Sequence, residues 1–115
     1  MRTHRLIGRT DEYEIYEITW PPGTGLDWHT HGASRAMVVV IEGELSEWIR
    51  TAPMPVEMHA RGSQAVKLVH QSGTSFFREP YTAHKVVNNG RTPAKSVHTY
   101  CPPLSLKYSE DLEIY

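Results

Sequence analysis

Three polar residues in the run Ser96-Val97-His98-Thr99-Tyr100-Cys101-Pro102-Pro103 recur at a period of two: Ser96, His98 and Tyr100. On a β-strand that period sends all three side chains to one face. A hydroxyl, an imidazole and a phenol in one row make a hydrogen-bonded relay ending in an acidic O–H, at positions a packed core fills with aliphatic groups. With an ordinary pKa near ~10, Tyr100 is protonated and able to donate to a bound reactant. His98 would orient the phenol, and Ser96 would fix the tautomer of His98. A solvated edge strand shows the same spacing, so the other histidines have to decide between the two readings.

His29 and His31 form a His-x-His pair, which on a strand aims two imidazoles the same way, as two ligands of one metal ion require. With seven histidines in 115 residues such a pair arises readily by chance, and its surroundings carry the weight. A Pro/Gly turn, Trp20-Pro21-Pro22-Gly23-Thr24-Gly25, precedes it. The run Ala36-Met37-Val38-Val39-Val40-Ile41-Glu42-Gly43 follows and reads as a fully buried strand stopped by glycine. His84 opens another strand-like run, His84-Lys85-Val86-Val87-Asn88, closed by the turn signal Asn88-Asn89-Gly90.

Taken together, Gly23-x5-His29-x-His31-x11-Gly43 and Pro80-x3-His84-x3-Asn88 resemble the two motifs of the cupin superfamily. Adding Trp20-Pro21-Pro22-Gly23 and the Ser-x-His-x-Tyr row narrows the resemblance to the cysteine dioxygenase family of thiol dioxygenases, with colinear blocks from about Tyr13 to Pro103. The resemblance implies that His29, His31 and His84 bind one ferrous ion, Fe(II), and that Ser96, His98 and Tyr100 are the catalytic relay, its tyrosine reaching the substrate. Three neutral imidazoles would leave the charge of the ion uncompensated, which favours a thiolate, and facial coordination leaves open positions. Iron suits a chelating substrate and dioxygen together, whereas tetrahedral zinc leaves one position.

Two positions depart from the family. Many cupins carry a glutamate ligand shortly after the His pair, and animal cysteine dioxygenases carry a cysteine there that cross-links to the relay tyrosine. Here the aligned residue is Ala36, which excludes both at that position. The family's carboxylate-binding arginine lies before the Trp-Pro-Pro-Gly turn, where this chain has Arg2, Arg5 and Arg9; the neighbours Leu6 and Ile7 favour Arg5 as the substrate-binding residue.

The elements that must hold these residues read as strand after strand. Glu12 to Trp20 alternates, with a flip of phase between Ile15 and Tyr16 that suggests a bulge or a strand whose two ends face different environments. Ala36 to Glu42 continues into a hairpin partner marked by Leu45, Trp48 and Ile49 after the Glu42-Gly43-Glu44 turn. Thr51 to Pro55 reads as a loop, and Ala65 to His70, Thr74 to Phe77, His84 to Asn88, Lys95 to Cys101 and Leu112 to Tyr115 as strands. No window has helical periodicity with a cap. Short strands with Gly/Pro turns predict an all-β sandwich or barrel, and the resemblance selects a small cupin jelly-roll barrel as one domain over residues 1–115.

Twelve basic and thirteen acidic side chains give a net charge of −1 without a basic block, against nucleic acid or an anionic membrane as partner. A single cysteine makes no internal disulfide, and Met37 to Ile41, the longest aliphatic run, is too short to span a bilayer. No apolar targeting region follows the N-terminus, so a cytoplasmic protein is expected. A homodimer stays open.

The remaining polar and aromatic residues take plainer roles. His4, His59 and His70 are expected to be surface or structural, Cys101 to face away from the relay as a small buried filler, and Asn88 to close an Asx turn. Trp20 and Trp28 read as core or pocket wall, Met37 as core, and Arg35 as a surface or rim charge. The expected function is a thiol dioxygenase acting on a small thiol carboxylate, of the cysteine or 3-mercaptopropionate type, with dioxygen. A metal-dependent cupin isomerase, decarboxylase or lyase, or a non-catalytic cupin that binds a small ligand, is the alternative.

Overall fold

The structure, a computed structural model, describes residues 2–50 and 65–104. The loop expected at Thr51 to Pro55, the strand at Leu112 to Tyr115 and His59 lie outside the described residues. Nine strands follow one another: β1 (Thr3–Arg9), β2 (Glu14–Trp20), β3 (Gly25–His29), β4 (Arg35–Glu42), β5 (Glu44–Arg50), β6 (Ala65–Gln71), β7 (Ser75–Arg78), β8 (His84–Val87) and β9 (Ala94–Cys101) among the described residues. They form two antiparallel sheets, one in the order β1-β2-β9-β4-β7 and the other β3-β8-β5-β6. Tyr16, Ile18, Trp20, Ala36, Val40, Ala94 and Tyr100 from the first sheet meet Leu45 and Val86 from the second in one shared core. This is the all-β jelly roll the sequence predicts.

The phase of each strand decides what enters that core. On β2 the buried residues are Glu14, Tyr16, Ile18 and Trp20, a single uninterrupted even phase. The flip at Ile15 is therefore not a bulge of β2: a buried glutamate occupies the inward position that the hydrophobic pattern left to Tyr13 and Ile15. The register shift lies in the partner, between Leu6 and Gly8 of β1. That edge strand escapes pattern reading because its side chains are nearly all exposed and its only large apolar residues, Leu6 and Ile7, are adjacent rather than alternating.

β4 also corrects an expectation. It is half-buried rather than fully buried: Ala36, Val38 and Val40 point inward, while Met37, Val39 and Ile41 are 46%, 38% and 45% exposed on the outer face of the sheet. Met37 is thus not core. A continuous apolar run matches a strand covered on both sides, but no described element covers the outer face here. At the β4–β5 turn Gly43 adopts φ 69°, and a Cβ there would lie 2.7 Å from the Pro93 carbonyl oxygen, so only glycine fits without displacement.

Asn88 ties the Trp-Pro-Pro-Gly turn to the end of β8. Its side-chain amide donates to the carbonyls of Trp20 (2.8 Å) and Thr92 (2.9 Å), and its Oδ1 accepts from the Gly90 amide in the expected Asx turn. Its backbone amide donates to the Thr24 carbonyl, and its own carbonyl accepts from the Gly23 amide. These bonds hold β3 alongside β8, and the two histidine-bearing strands in register.

Candidate active site

His29 ends β3 and stands directly opposite His84, which begins β8. The β3–β8 register shifts between Leu26 and His29, the kind of irregularity that re-aims a side chain. His31 lies beyond the strand, in the turn leading to β4, so the two imidazoles converge through a turn rather than by strand alternation. That turn is fastened to the end of the relay strand: Ser34 Oγ donates to the Pro102 carbonyl at 2.6 Å. The three rings pack with centroids 5.2 Å (His29–His31), 4.6 Å (His29–His84) and 5.0 Å (His31–His84) apart. One ligand atom from each lies within 4.8 Å of the others.

The donor chemistry of this cluster fits a divalent transition metal. His29 Nδ1 is 2.6 Å from the Asp27 carbonyl and donates to it, which leaves the lone pair on Nε2. Burial lowers the His29 pKa to about 4, with the Asp27 hydrogen bond opposing it, so the ring is neutral at pH 7. His84 donates from Nδ1 to Glu47 Oε2 at 2.6 Å, and its buried Nε2 has no hydrogen-bond partner. A buried acceptor left unsatisfied is costly unless something occupies the space before it. Two imidazoles with fixed Nε2 lone pairs beside a third meet the requirement for metal ligation.

Glu47 is the functional residue that motif reading missed. It is 0% exposed, and its two oxygens accept from His84, from His70 Nε2 at 2.7 Å and from Arg78 Nε and Nη2 at 2.9 and 2.5 Å. Burial alone would raise its pKa, but the His70, His84 and Arg78 hydrogen bonds together hold it well below the usual carboxylate range. His70, stacked on Phe76 at 3.8 Å, is accordingly structural, one of the two roles expected for it. The signal for Glu47 was legible in principle: it is in phase with Leu45 and Ile49, a charge at an inward position of an alternating strand.

On the facing sheet β9 carries the relay. The Trp20 indole donates to Ser96 Oγ at 2.9 Å, Ser96 Oγ is 2.7 Å from His98 Nε2, and His98 Nδ1 is 3.1 Å from the Tyr100 hydroxyl. All four side chains are buried. Burial, reinforced by the positive charge of Arg2, lowers the His98 pKa to about 3, and burial raises that of Tyr100 above its ordinary value. The imidazole is therefore neutral and the phenol protonated. Tyr100 packs against His31 with ring centroids 5.0 Å apart, which brings the relay to the histidine cluster.

Ala36 sits directly across from Tyr100 on β4 and is fully buried, so a methyl group occupies the position of any thioether or carboxylate ligand. Cys101, one residue past Tyr100, faces away from the relay as expected, but it is exposed rather than a buried filler, because β9's outer face is open. Arg35 is exposed, and Trp28 lies beneath the Arg50 guanidinium at 4.7 Å.

Arg5 is not brought to the site. It pairs with Glu17 on the outer face, at 3.1 Å, with 69% of its side chain exposed. The residues opposite the inward Tyr16 and Ile18 are Leu6 and His4, which places Arg5 on the other parity. Arg2 instead lies over the Trp20 ring, 5.6 Å from its centroid, and its positive charge acts on His29, His98 and Tyr100.

A jelly roll on which His29, His31 and His84 converge defines a metal-dependent cupin. Among solved structures the chain is similar to an RmlC-like cupin from Shewanella frigidimarina, with 21% identity, a TM-score of 0.70 and coverage of 96% of this chain and 79% of that one. It is similar to TT1209 from Thermus thermophilus, with 16% identity, TM-score 0.71 and coverage of 89% and 84%. A recombinant oxalate oxidase in complex with glycolate matches with 19% identity and TM-score 0.69; there 86% of this chain covers 50% of the longer protein. The family model for cysteine dioxygenase type I matches residues 1–110, and the chain belongs to that family.

Proposed function

We propose that this protein is a mononuclear non-haem iron dioxygenase that converts a small thiol carboxylate to its sulfinate. The observation that carries the reading is the position of Tyr100, a buried and protonated phenol at the end of a relay and against His31 of the three-histidine cluster. A barrel that only binds a ligand has no use for a positioned proton donor beside a metal site. Membership of the cysteine dioxygenase type I family supports the same reaction class.

The reaction balances without a further reductant. Both atoms of dioxygen become bonded to sulfur, the sulfur loses four electrons, and dioxygen gains them; the thiol proton is released. Fe(II) held by His29, His31 and His84 would bring thiolate and dioxygen together and mediate that electron transfer. The chain's own residues supply the rest. Tyr100 O–H donates to the oxygen or carboxylate beside it, His98 and Ser96 hold that phenol in place, and Arg2 supplies the cation for a substrate carboxylate in the role expected of Arg5. Burial of the site keeps water from competing for these groups.

The test is oxygen uptake by iron-loaded protein against a panel of small thiols with and without a carboxylate. Uptake with a thiol carboxylate, with one sulfinate formed per dioxygen consumed, is expected. No uptake with any thiol would overturn the proposal in favour of an isomerase, decarboxylase or lyase on the same metal scaffold.

A further inference from the structure

We propose that Trp20 is a positioning residue that sets the direction of the Ser96–His98–Tyr100 relay, so that Tyr100 must present its proton away from His98. An indole N–H can only donate. At 2.9 Å from Trp20 Nε1, the Ser96 oxygen is therefore the acceptor. The Ser96 hydrogen is then directed to His98 Nε2, 2.7 Å away, which must be unprotonated to accept it. A neutral imidazole with a bare Nε2 carries its proton on Nδ1, and that N–H donates to the Tyr100 oxygen at 3.1 Å. The phenol oxygen accepts from His98, and its own hydrogen points elsewhere. The reverse direction would have Ser96 accept from both Trp20 and His98, and its hydrogen would lose the acceptor it has in a buried site.

Trp20 is held firmly enough to impose this order. It is 0% exposed, its carbonyl is bonded by the Asn88 side chain, and its ring lies 6.2 Å from the His98 ring, with the Arg2 guanidinium over it. The low pKa of His98 supports the same picture, since a doubly protonated ring could not accept from Ser96. The catalytic consequence of the inference rests on the dioxygenase reading; the direction of the relay does not.

The direction can be read from the tautomer of His98. Full-length protein labelled with 15N-histidine and loaded with zinc as a diamagnetic probe is studied by long-range 1H–15N correlation, with His98 assigned from a His98→Gln variant. The wild type should show the Nδ1–H tautomer in about tenfold excess or more, the bias an unsatisfied buried hydroxyl imposes. In Trp20→Phe the two tautomers should approach equal populations. Should that variant fail to fold, Ser96→Ala, which removes the hydroxyl between indole and imidazole, should give the same mixing. An Nε2–H tautomer in the wild type, or a pure Nδ1–H tautomer in a folded Trp20→Phe or Ser96→Ala protein, overturns the proposal. In the iron-loaded enzyme Trp20→Phe should keep its metal and KM and lose about three- to tenfold in kcat. If the wild type consumes no oxygen with any thiol, the dioxygenase reading fails while the tautomer result still decides the direction of the relay.

Discussion

Glu47 Oε2 accepts a 2.6 Å hydrogen bond from His84 Nδ1, and this single contact fixes which nitrogen of His84 can meet a metal ion. The carboxylate is itself anchored on Arg78 and His70, so the orientation of a ligand on β8 is set by residues on β5, β6 and β7. Such partners raise ligand basicity and lock the ring.

Replacing the carboxylate should therefore weaken the metal site without touching a ligand. Glu47→Gln is expected to bind metal about 10- to 100-fold less tightly, measured by competition with a chelator. Glu47→Ala, which strands the Arg78 guanidinium, should also lower unfolding stability by roughly 3–5 kcal/mol in denaturant titrations. Unchanged metal affinity in a folded Glu47→Gln protein would show that His84 needs no such orientation.

Metal content separates the ligands from the other histidines. Protein purified without chelator should carry about one metal ion per chain by elemental analysis, and His29→Ala, His31→Ala or His84→Ala should each abolish it. His4→Ala should retain it, since His4 is exposed on β1. Full occupancy in His84→Ala would remove that residue from the ligand set.

Tyr100 and the ligands should part company in a second measurement. Tyr100→Phe keeps the aromatic packing against His31 and Tyr16 and loses only the hydroxyl. Iron content should stay at the wild-type level while kcat falls about 10- to 100-fold, the effect of removing one positioned proton donor. A rate within about twofold of wild type would place the proton source elsewhere.

The two N-terminal arginines give opposite expectations. Arg2→Gln should raise KM for a thiol carboxylate by about tenfold or more while leaving KM for the corresponding uncharged thiol unchanged, as loss of a charge-assisted contact requires. Arg5→Gln removes an exposed ion pair with Glu17, worth at most about 1 kcal/mol, and should leave both KM values at wild-type levels. A selective effect from Arg5 instead would mean that the register of β1 against β2 differs from that described.

Period-two spacing determined that Ser96, His98 and Tyr100 share a face, because strand alternation is a local property of the backbone. Local turn chemistry likewise made the Asn88 turn and the Gly43 hairpin legible, and Ala36 alone excluded a cysteine or carboxylate at its position. What the sequence could not determine were relations between strands distant along the chain. Whether β4 was covered on both sides depended on an outer layer that is not present among the described residues, and so Met37 turned out exposed. Arg5 turned to the outer face opposite Glu17 because a register shift in β1 and its pairing to β2 set the parity, while Arg2, before that strand, came to lie over the Trp20 ring. Glu47 became an anchor for His84 only because β5 pairs with β8 and faces Arg78 of the opposite sheet. A charge at an inward position is visible in one strand, but the donors that make it tolerable come from three others, and only the folded barrel brings them together.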